Sequence, residues 1–391
     1  MIIAGLMAGT SADALDVALV DIRRDENDAL SMRVVAFREF EFDKRLALDI
    51  LRLLDPVDVP LSLVSSVDTR FGRTCAEAVA TLCSEAGVEC ELVVTHGQTI
   101  RHDVEDGIVA GTLQIGQPAW IAESIGVPVL SDVRSNDVAA GGQGAPLVSI
   151  LDHLLLARSG SPTAALNLGG IANITVVSPG RETLAFDTGP ANALIDVMAR
   201  RITGDPRAFD RDGALAAQGE TDADLLTAML GEPYYRAPSP KSTGKELFHG
   251  EYLDGYLAAF PNLDPYVVIA TMTTLTARTV AEACRAHGVH AVVASGGGTL
   301  NPTLMAELRR ELGDAVELRT TDEAFNLPGG AKEACLMALV GWLSWHGLPA
   351  TLPSVTGASR ATIAGRITPG RTPLVLPEPH RAMPTTLRID A

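Results

Sequence analysis

The chain has 391 residues, 47% hydrophobic and 20% charged, with a net charge of -17 and a sequence pI near 4.9. That length predicts two domains rather than one, and the acidic balance excludes a broad face for nucleic acid or anionic lipid. Aromatic residues at 4% exclude a stacking platform for single strands, and five cysteines without a CxxC pair fit reduced thiols rather than disulfides or zinc.

Ile2–Met7 reads as a strand, but the apolar start lacks a basic flank and is soon interrupted by Asp13 and Asp16. Neither a signal nor a membrane span is expected, and a cytoplasmic location is. The turn Gly9-Thr10-Ser11 leads to a second strand, Val17–Ile22. Its amides and hydroxyls can form a small nest for phosphate oxygens. A carboxylate beside phosphate needs a cation between them, so Asp13 is a candidate outer ligand of Mg²⁺. An ordinary polar hairpin turn has the same composition.

Helix Arg73–Ala86, strand Leu92–Thr95, helix Ala119–Ser124 and strand Val127–Ser131 follow. THGQTIRH and SDVRSNDVAAGGQGAPL sit beside those strand ends. There His96, Gln98, Asp132, Arg134, Asp137 and Gln143 could bind sugar-like hydroxyls or serve as hydrogen-bonding loops. Ala164–Leu168 and Ile174–Val177 flank Gly169-Gly170 and repeat the strand, glycine turn, strand pattern of the first hairpin. Two such hairpins fit duplication of one α/β unit. The second glycine turn could embrace phosphates from the opposite side.

In AFDTGPANALID, Phe186 reads as the end of a buried strand, Gly189 and Pro190 as a turn, and Ala191–Ile202 as a helix. A carboxylate at Asp187 is then fixed at the rim of a sheet, where a general base belongs. The competing reading is a helix cap. Helices Asp222–Leu230 and Met272–His287 bracket SPKSTGKELF, whose Lys241, Ser242, Thr243 and Glu246 read as an anion site or a solvated loop. Strand Val289–Ser295 runs into Gly296, Gly297 and Gly298, and helix Pro302–Leu312 starts after Asn301. That places a helix N-terminus at a strand's carboxyl edge, although neither GxGxxG nor GxxxxGK[ST] is present. Glu333 opens the last helix, Lys332–Trp345, where the helix field favours a carboxylate. The proline-rich tail reads as extended segments. Alternation of strands and helices throughout predicts an α/β fold.

GLMAGTSADALD, THGQTIRH, TLQIGQPAWIAE, SDVRSNDVAAGGQGAPLV, LNLGGIANIT, FDTGPANALID, PKSTGKELF, GGGTLNPTLM and KEA occur in that order over most of the chain. Together they resemble the anhydro-N-acetylmuramic acid kinase family of the actin/hexokinase/Hsp70-like ATPase superfamily. The resemblance implies two RNase H-like domains around a nucleotide cleft, expected at 1–133, with the tail 368–391 as a candidate completion, and at 134–367. It implies ATP and Mg²⁺ as cofactors, an anhydro sugar as substrate and a homodimer. By position, it implies that Gly9, Thr10, Ser11, Ala12, Asp13, Ala14, Leu15 and Asp16 form the first phosphate loop, and that Gly169 and Gly170 form the second. Gly296, Gly297, Gly298 and Asn301 would hold adenosine, Asp187 would be the base, and Glu333 would face the sugar. Ala8, Ala12, Ala14, Gln117 and Ala191 depart from the family pattern and leave sugar preference more open than ATP use. A kinase of another 1,6-anhydro sugar such as levoglucosan, an ordinary sugar kinase and a non-catalytic nucleotide-binding module remain as alternatives.

Overall fold

A computed structural model describes the chain except residues 10, 11, 56, 106, 245 and 391. Among the described residues the strands are β1 (Ile2–Met7), β2 (Ala14–Arg24), β3 (Ala29–Glu41), β4 (Leu92–Thr95), β5 (Gln98–Glu105), β6 (Ile108–Ile115) and β7 (Val129–Ser131). They continue as β8 (Thr163–Leu168), β9 (Ile171–Val177), β10 (Leu184–Pro190), β11 (Ala291–Ser295), β12 (Glu317–Thr320), β13 (Arg366–Thr368) and β14 (Thr386–Asp390). The α-helices are α1 (Lys44–Leu54), α2 (Leu61–Ala86), α3 (Pro118–Ile125), α4 (Ser135–Ala139), α5 (Ser149–Leu156), α6 (Asn192–Thr203) and α7 (Ala223–Leu230). After them come α8 (Pro233–Arg236), α9 (Gly250–Leu257), α10 (Pro265–Ala286), α11 (Pro302–Leu312), α12 (Thr321–Phe325), α13 (Lys332–Trp345) and α14 (Pro353–Thr356).

Contacts divide the chain into two compact units, Met1–Leu155 with Phe325–Ala391, and Leu156–Ala324. This division differs from the boundary expected at 133–134. The reason is packing: the apolar faces of α5 and α13 share one core with Ile3, Val20, Leu92 and Val94 of the first sheet. Both helices therefore belong with the N-terminal strands.

The first unit holds a sheet ordered β13-β7-β4-β1-β2-β3-β14, and the second a sheet ordered β10-β9-β8-β11-β12. Without the tail strands β13 and β14, the two orders are the same: third, second, first, fourth, fifth. In each, the first three strands form an antiparallel meander and the last two run parallel to the first. The hairpins β1–β2 and β8–β9 occupy equivalent places, which is the duplication that their glycine turns predict.

Side-chain alternation assigns each strand of the first sheet to two cores. Ile3, Ala18 and Val20 face α5 and α13. Ala4, Leu6, Val17 and Leu19 face α1, α2 and α3. With both faces covered, β1 and β4 are unbroken apolar runs, so they read clearly in the sequence. Gly5 lets α13 lie directly on β1, since a Cβ there would stand 2.0 Å from the Ala334 carbonyl oxygen. In the second unit, Leu166, Ile174 and Phe186 pack on α10 and α11. A separate cluster joins α6, α7, α9 and the first half of α10 around Phe248.

Candidate active site

In the second unit, the expected strand-to-helix turn at Asp187 is instead a β-bulge. Strand β10 runs on to Pro190, and its register against β9 shifts between Asp187 and Gly189. A bulge re-aims a side chain without ending the strand. Gly189 has φ +149°, and a Cβ there would come 2.9 Å from Tyr235 Cε1. Asp187 does not cap α6. The N-cap is Ala191, and the Ala191, Asn192 and Ala193 amides donate to the Gly169 and Gly170 carbonyls at 2.9–3.0 Å.

Asp187 is instead held by a segment of the chain that wraps it. Its amide donates to the Lys241 carbonyl (3.0 Å). Its Oδ2 accepts from the Thr243 amide (2.9 Å), and its carbonyl accepts from the Tyr234 hydroxyl (2.7 Å). Half-burial pushes the carboxyl up to about 6; the Thr243 N–H pulls it down, and the charge of Glu246 adds to the rise. Lys241, read as an anion ligand or solvated residue, spends its ammonium on the Tyr234 and Tyr235 carbonyls (2.9 and 3.0 Å) and on the face of the Tyr234 ring. The strand neighbours Phe186 and Thr188 line a cavity of about 460 Å³ with Tyr235, Lys241, Thr279 and His287. By alternation this cavity lies on the face of β10 opposite the carboxylate.

The glycines expected to serve a nucleotide gather at neighbouring strand ends. Gly169 and Gly170 follow β8, and the tract Gly296 to Gly298 follows β11, which is parallel to β8 and adjacent to it. Gly296 and Gly298 press on Asn167 and Leu168, while Gly297 faces open space. Asn301 has a helix role: its Oδ1 accepts from the Leu304 amide (2.9 Å) and caps α11.

In the first unit, the loop after β1 carries the other expected phosphate residues. Gly9 and Asp13 are exposed, Ala12 and Leu15 are buried, and Ala14 and Asp16 open β2. Thr10 and Ser11 lie outside the described residues. Ala12 takes φ +56°, a conformation that strains a residue with a Cβ. Gln98 is fully buried and ties this loop to β5 by donating to the Gly9 carbonyl (3.2 Å). Asp16 stands opposite Glu39 in the β2–β3 ladder. Burial, Glu39, Glu333 and Asp13, in that order, push its carboxyl up to about 7.

His96, Arg134 and Glu333 form one polar group. Arg134 Nε donates to His96 Nε2 (2.8 Å), and Nη1 donates to the Gly144 carbonyl (2.6 Å). His96 Nδ1 lies 2.8 Å from the Gly97 carbonyl, so that nitrogen carries the proton. Burial and the Arg134 charge hold His96 down to about 3, which makes it a neutral acceptor and not a proton shuttle. Glu333 is accessible at the start of α13, yet surrounding atoms raise its pKa, with Lys332 and Arg134 opposing. Behind it, Lys332 forms a buried ion pair with Asp152 (2.7 Å), a contact that sequence reasoning missed.

Asp137, read as a sugar ligand, is buried and structural: its carboxylate accepts from the Gly144 amide and the Thr356 hydroxyl, both at 2.8 Å. Asp132 accepts from Ser135 (2.5 Å) and pairs with Arg366 (2.6 Å). With His96, Asp68, Gln114 and Arg366 it lines a polar cavity of about 440 Å³. The cavity lies at the carboxyl ends of the parallel strands β4 and β7, the usual ligand position in such sheets.

A family model described as anhydro-N-acetylmuramic acid kinase matches residues 1–370. The chain belongs to this family. A relative of that name from Streptomyces coelicolor is 52% identical over 100% of this chain and 99% of its own length. One from Streptomyces avermitilis is 50% identical over 96% and 97%, and one from Rhodococcus erythropolis is 46% identical over the whole of both chains. Membership favours the kinase reading over another anhydro sugar and over a non-catalytic nucleotide module. The two units with one strand order agree with the doubled architecture that the resemblance implies.

Proposed function

We propose that this family member opens the 1,6-anhydro ring of anhydro-N-acetylmuramic acid and phosphorylates O6 from ATP, with Asp187 as base. The observation that supports this most is the half-buried carboxylate at the β10 bulge, held by the Thr243 amide with its pKa raised to about 6. A base of that strength is ionised at neutral pH and still proton-hungry.

Asp187 takes a proton from water as the water oxygen bonds to the anomeric carbon. The C1–O6 bond breaks, and its electron pair goes to O6. O6 bonds to the γ-phosphorus, and the bond to the β-phosphate oxygen breaks, releasing ADP. A sugar alkoxide normally needs an acid to leave; capture by the phosphoryl group makes a second proton donor unnecessary. Backbone amides of the Gly169-Gly170 turn would stabilise charge on the transferred group.

Among the described residues no cluster of three or more ligand side chains could hold a metal ion. Mg²⁺ commonly takes only one or two carboxylates beside phosphate and water, and the crowded negative charge on Asp16 fits such a cation. Asp13 and Asp16 would hold it, and it would neutralise phosphate charge. Arg134, His96 and Glu333, with the polar cavity beside His96, would serve the sugar. The family reading also carries a homodimer, a cytoplasmic setting and a role in recycling cell-wall sugars. No described helix is long and apolar enough to cross a membrane.

Asp187→Asn is expected to bind ATP and lose turnover by about 10²–10⁴ or more. In ¹⁸O-water the product should carry the label at its anomeric carbon; label absent from that carbon would indicate a kinase that only deprotonates a hydroxyl. ADP release against a panel of anhydro sugars, levoglucosan included, tests the substrate.

A further inference from the structure

We propose that Lys241 and Tyr234 are positioning residues that lock segment 234–243 as a clamp around Asp187, a reading that rests on Asp187 being the base. Three hydrogen bonds run between the segment and the residue: Tyr234 hydroxyl to the Asp187 carbonyl, Asp187 amide to the Lys241 carbonyl, and Thr243 amide to the carboxylate. The clamp is closed on itself by the Lys241 ammonium, which bridges the Tyr234 and Tyr235 carbonyls at the segment's start. Among the described residues, that bridge is the charged tie between the end that touches the carboxylate and the end that touches the carbonyl.

The clamp is also anchored outside itself. Tyr235 stacks on Phe248 with centroids 6.1 Å apart, and Tyr234 meets the Phe248 edge at 6.0 Å. Phe248 in turn meets Tyr252, which meets Tyr256. Four of the chain's five tyrosines thus sit in one cluster beside this loop. Phe248 is only 1% exposed, so the start of the loop is rooted in the core. Such rooting holds a loop-borne amide within hydrogen-bond reach of a base, where a displacement near 1 Å costs about a hundredfold in rate.

The contacts of Lys241 give it a structural role that its sequence context did not suggest. An ammonium has three donors; two are spent on carbonyls, and the group also lies over the π-face of Tyr234. Tyr234 Oη, whose own ionisation is suppressed by burial, donates steadily to the Asp187 carbonyl.

The test compares Lys241→Met, Lys241→Arg and Tyr234→Phe with Asp187→Asn in the full-length enzyme. Loss of the clamp is expected to lower kcat by about ten- to a hundredfold while KM for ATP changes less than about twofold. The Thr243 amide lowers the Asp187 pKa, so losing it should move the acid limb of the rate–pH profile upward. Arg, which also donates to two carbonyls, should restore most of the rate. If Lys241→Met does not fold, Tyr234→Phe removes one hydroxyl and leaves the ring cluster in place. Wild-type kcat and an unmoved acid limb in Lys241→Met or Tyr234→Phe, with Asp187→Asn inactive, would overturn the clamp and spare the base. An active Asp187→Asn would overturn both.

Discussion

Two carboxylates carry the electrostatic character of this enzyme, and both make folding depend on pH with the same sign. Burial raises Asp187 from 3.8 to about 6 and Asp16 from 3.8 to about 7. Between those limits the folded state binds more protons than the unfolded chain, so stability falls as pH rises through each window. Asp16→Asn should therefore raise the melting temperature at pH 8, without ligands, and give no gain at pH 3.5. An equal gain at both values would show that charge crowding is not the cause. For catalysis the direction reverses: the base must be ionised, so kcat/KM should climb through pH 6 and level off above it. In the sequence Asp187 stood as a choice between base and cap; the bulge takes it away from the cap of α6, and its role as base is the proposal made above. The structural use of Asp137 was not visible, because its partner Thr356 lies 219 residues away. Asp16's neighbour Glu39 was hidden for the same kind of reason, since cross-strand partners follow from register, not from local pattern.

Among elements, β10 holds the proposed base at a break in its register. Its bulge depends on a residue that tolerates φ +149° and leaves room for Tyr235. Gly189→Ala is expected to cost about 1–3 kcal/mol in urea unfolding and to lower kcat more than it raises KM for ATP. A variant with unchanged stability and rate would mean that the bulge is dispensable. The sequence showed β1, β4, α11 and α13 with their observed ends, because buried strands are unbroken apolar runs and α11 has a clear Asn-Pro start. It missed β3 and the β5–β6 hairpin, where exposed charges such as Arg38, Glu39, Arg101 and Asp103 interrupt the apolar rhythm. The early turns of α2 and α10 were also missed; in α10 the missed stretch 265–271 carries Val267, Val268, Ile269 and Thr271, β-branched residues that are weaker helix formers.

At the scale of the molecule, the tail is part of the first unit's sheet. β13 pairs with β7, and β14 pairs with β3 and buries Leu387. Ending the chain at residue 365 removes both and exposes two sheet edges. All three tryptophans, Trp120, Trp342 and Trp345, belong to the first unit, so their fluorescence reads that unit alone. The truncated chain should unfold at lower urea by this signal, and an unchanged midpoint would show that the tail strands add nothing. Proline-rich composition disguised these strands as loose extensions, since a short edge strand has no core pattern of its own.

The contiguous stretch 156–324 makes one unit, whereas the other is assembled from 1–155 and 325–391. On the ribosome, the inserted unit has all of its residues before α13, β13 and β14 have been translated. The split unit must wait, partly built, until α13, β13 and β14 have been made, and its unfinished sheet is the surface that a nascent-chain chaperone would meet.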